Sequence, residues 1–454
     1  MENFLRFIEK YLIPKRLYRL IQPIYHFSLA YLAAFFYGFP SEKMTVIGVI
    51  GTKGKTTTCN LIAQIFNSAE FKTGMATTVN FRIGNKEWKN ETKQTMLGRF
   101  QLQKLLYQMQ KEECKYAVVE TSSEGILQYR HKFIDYDAAV FTNLSPEHIE
   151  RHGNFENYRA AKIKLFEKVA HKKTGIGIYN LDDENVEFFL EPKLWQKYGY
   201  TTKSKVNGEK LKINNILKIS KIKLSANKTE FTANKEKFEL PFIGKFNVYN
   251  AAAAICAAWS QNISKEKIRK ALKEAKAPNG RMEIIYAKAL TNRHIRIDKK
   301  NDFTIIIDYA HEPASLEAVY KTINEAQIAK RKSKLICLLG AQGGGRDKWK
   351  RPQMGKIAEK YCDKIILTNE DPYDENPLDI INNIERGFSR IQNLYKIIDR
   401  LEAIKKAIYL AKKGDVVILT GKGGESWMCV ENNQKIPWDE GKIIEEILNQ
   451  RITN

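Results

Sequence analysis

Histidine and cysteine are scarce in this chain of 454 residues, with seven and six copies. The cysteines are Cys59, Cys114, Cys256, Cys337, Cys362 and Cys429. None forms C-x-x-C and none has a histidine at zinc-ligand spacing, which excludes a structural zinc module. Most lie in apolar stretches and are expected to be reduced core thiols in a reducing, cytoplasmic compartment. No cleavage pattern follows the apolar N-terminal stretch, so a secretory leader is not expected. Repeats of solenoid period and long disordered tracts are also missing. Acidic residues are in deficit: 52 Asp and Glu face 75 Lys and Arg, a net charge of +23. Such a surplus suits nucleic acid, an anionic membrane or phosphorylated substrates. The lysines are dispersed, however, and the aromatics do not alternate with arginines, so no nucleic-acid partner is expected.

Residues 20–41, LIQPIYHFSLAYLAAFFYGFPS, hold no Asp, Glu, Lys or Arg. That is long enough to span a bilayer, but Gln22, Pro23, His26 and Ser28 oppose a span. The preceding stretch is amphipathic and basic. The expectation is a pair of helices packed on the next domain, with peripheral membrane contact through residues 1–43 as the second reading. From Met44 onward, strands alternate with helices, which predicts parallel α/β layers. Residues 197–240 suit a small antiparallel insert. The Pro/Gly break at Ala277–Glu283 suggests a boundary, giving an N-terminal segment 1–43 and domains 44–278 and 279–454. After that break FTIIIDYAH, KLICLLGAQGGG, KIILTNEDP and DVVILTGKGGE each end an apolar run in a polar or glycine-rich turn. A doubly wound sheet binds its ligands at such strand ends.

The stretch GVIGTKGKTTTCNLIAQIF (Gly48–Phe66) reads as strand, glycine turn and helix. It departs from G-x-x-x-x-G-K-[ST], because Val49 stands where the first glycine belongs. The context is still that of a phosphate loop: backbone N–H groups and a helix N-terminus cradle anions, Lys55 reaches the outer phosphates and Thr56 ligates Mg²⁺. Glu120 ends one buried strand, and Asn143, Glu147 and His148 follow another, offering carboxylate and imidazole ligands beside the loop.

GTKGKTTT, ETSSEGILQYR, FTNLSPEHIERHGNFENYRAAKIKLF, LPFIGKFNVYNAAAA, NGRMEII, IDYAHEPASLE, GGGRDKWKRPQMG, TNEDPYDENP and GKGGE occur in this order. Over residues 44–454 the chain thereby resembles the Mur ligases, most of all the branch that adds the third amino acid of the peptidoglycan stem peptide. The resemblance implies an α/β fold: a central parallel-sheet ATPase domain with a variant P-loop, a C-terminal Rossmann-like domain and, here, a short helical N-terminal segment. It implies an ATP- and Mg²⁺-dependent amide ligase, acting as a monomer on a UDP-muramoyl-peptide-like donor and an amino-acid acceptor through an acyl phosphate.

By resemblance, Gly51, Thr52, Lys53, Gly54, Lys55, Thr56 and Thr57 hold the phosphates of ATP, and Asn250, Arg281 and Asp308 surround its adenine and ribose. Thr56, Glu120, His148 and Lys162 hold two Mg²⁺ ions, with Lys162 carbamylated so that a cation becomes a carboxylate-like group. Ser122, Gln128 and Arg130 match donor-binding residues, and Thr95 matches one more loosely. Arg346, Glu370, Asp371, Gly421 and Glu425 line the acceptor pocket.

Three departures accompany the resemblance. The family's N-terminal UDP-binding domain, roughly a hundred residues, does not fit before Met44, which leaves a UDP carrier bound differently or a lipid-linked donor. Diaminopimelate-adding members carry D-N-P-R where this chain has Glu370-Asp371-Pro372-Tyr373, and Tyr373 cannot clamp a carboxylate as arginine does. The acidic trio Glu370, Asp371 and Glu425 points to a diamino acid acceptor. Finally, S-S-H-G has become Ser122-Ser123-Glu124-Gly125, and G-K-G-H-E has become GKGGE. The alternatives are a pseudomurein-type peptide ligase, a folylpolyglutamate-synthetase-like ligase and a membrane-attached nucleotide-binding scaffold.

Overall fold

The computed structural model describes residues 15–453 apart from 93, 148, 207, 214, 226–227, 287–302, 327–332 and 391. The chain divides into two compact units. The first comprises Met1–Ser220, Thr232–Lys237 and Tyr249–Leu272; the second comprises Lys221–Phe231, Phe238–Val248 and Lys273–Asn454.

Helix α1 (Lys15–Phe36) opens the described chain. The apolar stretch lies in one helix that runs through Pro23; the expected pair of helices also involves residues 1–14, which lie outside the described residues. No helix among the described residues is long and apolar enough to cross a membrane. Strands β1 (Thr45–Ile50), β2 (Thr73–Ala76), β3 (Asn80–Ile83), β4 (Lys86–Lys89), β5 (Tyr116–Glu120), β6 (Tyr136–Phe141), β7 (Ile176–Asn180), β8 (Gln196–Thr201), β9 (Asn215–Ser225), β10 (Lys228–Ala233) and β11 (Glu236–Leu240) follow. They form one sheet in the order β11-β10-β9-β8-β7-β6-β1-β5-β2-β3-β4. Residues 197–240 are therefore an edge of the main sheet: β9 pairs parallel with β8, with Tyr198 opposite Asn215. β5 and β7 are buried throughout, as the apolar runs of a parallel sheet covered on both faces should be.

β1 lies between β5 and β6, and the chain beyond it turns into helix α2 (Lys55–Ser68). Register aligns Val49 with Glu120 and Ile50 with Phe141. The ends of three parallel strands therefore meet beside the glycine turn, the crevice in which open α/β sheets bind ligands. Helix α3 (Arg99–Lys111) packs on α1, and α4 (Phe155–Ala170) covers the sheet with Leu165, Phe166 and Val169.

In the second unit, β12 (Glu283–Tyr286), β13 (Thr304–Asp308), β14 (Leu335–Leu339), β15 (Lys364–Leu367), β16 (Leu394–Lys396) and β17 (Val416–Thr420) pair in the order β12-β13-β17-β14-β15-β16. All neighbours are parallel except β12 and β13. Helix α5 (Lys350–Tyr361) connects β14 to β15.

The expectation of reduced cysteines holds for Cys59, Cys114, Cys256 and Cys429, which are buried and form no disulfide among the described residues. It fails for Cys337 and Cys362, which form a disulfide because β14 and the turn after α5 bring their Cα atoms to 6.0 Å. The bridge closes a loop of 25 residues, an entropic restraint on the unfolded chain worth about 3 kcal/mol. Reduction should lower the denaturant midpoint of the second unit accordingly. Identical midpoints with and without dithiothreitol would rule this contribution out.

Candidate active site

The first unit assembles its site on the turn after β1. Gly51 and Gly54 have φ of 156° and 81°. A Cβ on Gly51 would lie 2.0 Å from Thr142 Oγ1, and one on Gly54 2.2 Å from Asn250 Oδ1. Both positions therefore require glycine. Gly48 has another role: within β1 it makes room for the Tyr136 ring, 2.9 Å from where its Cβ would be. Each glycine of the spacing thus has a steric reason of its own.

The loop is pinned from the β6 end. Thr52 N donates to Asn143 O at 2.8 Å, Lys53 N donates to Asn143 Oδ1 at 2.9 Å, and Thr142 Oγ1 donates to Lys53 O at 2.8 Å. Lys53 pairs with Glu147 at 2.9 Å. Lys55 folds over the loop and donates to the carbonyls of Gly51 at 3.1 Å and Thr52 at 2.9 Å. Thr57 is buried in the first turn of α2, and Thr58 Oγ1 donates to Asn250 Oδ1 at 3.4 Å.

Glu120 is buried at the end of β5 and accepts three hydrogen bonds. Thr56 Oγ1 donates to Oε2, Thr78 N donates to Oε2 and Thr78 Oγ1 donates to Oε1, each at 2.9 Å. A buried anionic carboxylate beside a threonine hydroxyl at the start of a helix is a fitting donor set for Mg²⁺. Thr78, which sequence reasoning missed, holds both oxygens of the carboxylate.

Lys162, on α4, is buried and donates to Gly51 O at 2.7 Å. Its nitrogen lies 4.4 Å from the Tyr158 ring centroid. Burial pushes its pKa well below the usual lysine value, and Lys55 and Lys53 push it further down, against the pull of Glu147. The balance is thereby shifted from the ammonium toward the neutral amine. His148 lies outside the described residues.

The expected donor residues form a second cluster. Arg130 donates to Gln128 Oε1 through Nε at 3.0 Å and to Gln94 Oε1 at 2.8 Å, drawing in the loop that carries Thr95. Ser122 caps its short helix by accepting from Gly125 N at 3.0 Å. Arg99, also missed, donates to Gln128 O at 2.6 Å.

In the second unit the end of β13 and the stretches that follow β14, β15 and β17, with Arg281 ahead of β12, carry the remaining residues. Asp308 accepts from Met282 N and Ala310 N, both at 2.8 Å, and the Arg281 guanidinium stacks 4.1 Å from the Tyr309 ring centroid. Arg346 hydrogen-bonds Tyr373, and the phenols of Tyr373 and Tyr309 hold its pKa up against burial. The acidic trio is not left as three free charges. Lys422, buried and given no role by the sequence, pairs with Asp371 at 2.8 Å and Glu425 at 2.6 Å. Tyr309 OH also donates to Glu425 at 3.1 Å. The Glu370 carboxylate, fully buried, has no hydrogen-bond partner for either oxygen among the described residues. Gly421, with φ of 105°, leaves it space, since a Cβ there would lie 2.4 Å from Glu370 Oε2.

Burial, reinforced by Asp371, raises the Glu370 pKa to about 7. Because the folded value lies above the unfolded one, the native state holds the proton more tightly. Stability is therefore lost as pH rises from about 4.5 to 7, by roughly 3 kcal/mol in total. Glu370→Gln should raise the melting temperature clearly at pH 8 and barely at pH 5. An equal change at both pH values would contradict this assignment.

A family model described as the Mur ligase middle domain matches residues 49–258, and one described as the Mur ligase glutamate ligase domain matches residues 280–423. The chain is 35% identical over 429 residues to the UDP-N-acetylmuramoyl-L-alanyl-D-glutamate–2,6-diaminopimelate ligase of Syntrophomonas wolfei, covering 94% of this chain and 82% of that one. It is 38% identical over 413 residues to the ligase of the same name from Aquifex aeolicus, covering 91% and 79%. A solved structure of a ligase so named matches with a TM-score of 0.58 at 28% identity, covering 90% and 79%. The chain belongs to the Mur ligase family and is an ATP-dependent ligase that forms carbon–nitrogen bonds.

Proposed function

We propose that this ligase joins a diamino acid, diaminopimelate foremost, to the D-glutamate carboxyl of a UDP-N-acetylmuramoyl-L-alanyl-D-glutamate-like donor in peptidoglycan synthesis. The observation that carries the reading is the Thr56–Glu120 pair at the mouth of the glycine loop, with Lys162 bonded to Gly51 of that loop. The relatives supply the substrates, through the names of the ligases from Syntrophomonas wolfei and Aquifex aeolicus.

On this reading, residues 44–278 bind the ATP phosphates and the donor, and residues 279–454 bind the acceptor and contribute Arg281 and Asp308 to the nucleoside. Loop residues Gly51–Thr57 and Lys55 bind the phosphates. Asn250, Arg281 and Asp308 serve the nucleoside. Ser122, Gln128, Arg130 and Thr95 orient the donor so that its carboxylate attacks the γ-phosphorus; the bond to the β-phosphate oxygen breaks and ADP leaves. The acceptor amine then attacks the acyl carbon, and phosphate departs. Both steps bring anions or dipoles together, so fixed cations do most of the stabilising. Bound Mg²⁺ neutralises the oxygens that meet there. Thr56, Glu120, His148 and Lys162 would hold two such ions. A neutral, buried Lys162 amine is the form that adds CO₂, releasing a proton and becoming an anionic carbamate.

For the acceptor, Arg346 offers a cation to a carboxylate, and Glu370, the one acidic residue of the trio not paired with Lys422, offers a buried carboxyl to an amine. The enzyme acts as a cytoplasmic monomer, with peripheral membrane contact through residues 1–43. A matrix of donors and acceptors scored by ADP release tests the assignment. ADP formation without a muramoyl-dipeptide donor would sink it.

A further inference from the structure

We propose that the outer face of α1 is a docking surface for an anionic lipid bilayer. One face of the helix packs inward through His26, Ala30, Ala33 and Ala34, all buried. The opposite face presents Ile21, Ile24, Tyr25, Leu32, Phe35 and Phe36, with Ile24 68%, Phe35 64% and Phe36 73% exposed. Positions 21, 24/25, 32 and 35/36 repeat at helical spacing, so they form one stripe. A helix facing water carries charge on that side; residues 20–41 carry none. A contiguous aromatic and aliphatic patch of this kind marks an interaction surface.

Charge selects the occupant. Residues 1–19 hold five basic side chains, Arg6, Lys10, Lys15, Arg16 and Arg19, against Glu2 and Glu9. The whole chain stands at +23. Apolar residues with aromatics, adjoining a basic stretch, is the pattern of a helix lying in the interface of an anionic membrane. A second copy would set one positive chain against another, whereas anionic lipid turns the same charge into attraction. The helix is also coupled to the donor cluster: Arg99 contacts His26 Nδ1 at 2.5 Å and donates to Gln128 O at 2.6 Å. Docking would then hold that cluster close to the bilayer, an arrangement that rests on the donor assignment above; lipid binding itself does not.

The test is co-sedimentation of the full chain with vesicles of phosphatidylcholine, with and without phosphatidylglycerol, without substrates. The wild type should partition into the anionic vesicles, weakening as salt rises. The quadruple variant Ile24→Ser, Leu32→Ser, Phe35→Ser, Phe36→Ser should lose at least roughly tenfold in partition at an unchanged melting temperature. A Phe35→Leu, Phe36→Leu variant should keep most of it. Absence of wild-type protein from the anionic pellet overturns the proposal, as does equal recovery of the serine variant. So does a dimeric mass that the serine variant reduces to that of one chain, which would assign the face to a second copy.

Discussion

Lys162→Ala will lower kcat by about three orders of magnitude while leaving the protein folded. The side chain is buried and reaches the loop backbone at Gly51 O. An ammonium there would be desolvated and would face Lys55 and Lys53, which is why its pKa is depressed. An unmodified lysine also repels a metal ion. The account therefore expects the carbamate, and three results should coincide. Wild-type activity should rise with added bicarbonate and fall when CO₂ is stripped. Lys162→Ala should be insensitive to both. Lys162→Glu, which restores a carboxylate on a shorter stem, should recover part of the loss. Full activity in Lys162→Ala would remove this residue from the chemistry.

The second large effect is at Glu120. Glu120→Gln keeps the shape and most of the hydrogen bonds but loses the charge that a divalent ion needs. Apparent Mg²⁺ affinity and kcat/KM for ATP should both fall, the latter by roughly 10² to 10³. Thr78→Ala should show a smaller loss of Mg²⁺ affinity, about tenfold, because Thr78 orients the carboxylate rather than ligating the ion. Mg²⁺ titration followed by calorimetry in the presence of a nonhydrolysable nucleotide separates metal binding from turnover. Unchanged Mg²⁺ affinity in Glu120→Gln would mean that the ion is held elsewhere.

What the sequence made legible follows from local rules. The apolar run Thr45–Ile50, the glycines and the helix from Lys55 read correctly because strand burial, positive φ and helix initiation are written in neighbouring residues. The four strand ends of the second unit were visible for the same reason. The rest depends on distant partners. Lys422 in GKGGE looks like any surface lysine until the fold sets it between Asp371 and Glu425. Thr78 acquires meaning only where β2 runs beside β5. Cys337 and Cys362 pair because α5 returns the chain to the strand that it left. The isolation of Glu370 likewise could not be read from the motif, since the adjacent Asp371 takes its partner, Lys422, from 51 positions away.

The most direct test of the account is ADP release by the full-length protein with UDP-N-acetylmuramoyl-L-alanyl-D-glutamate, ATP, Mg²⁺, bicarbonate and a panel of amino acids. Sustained ADP release over many turnovers is expected only when donor and acceptor are both present, with a diamino acid as the preferred acceptor. Preference for a neutral or acidic amino acid, or no turnover with any acceptor despite ATP binding, would contradict it.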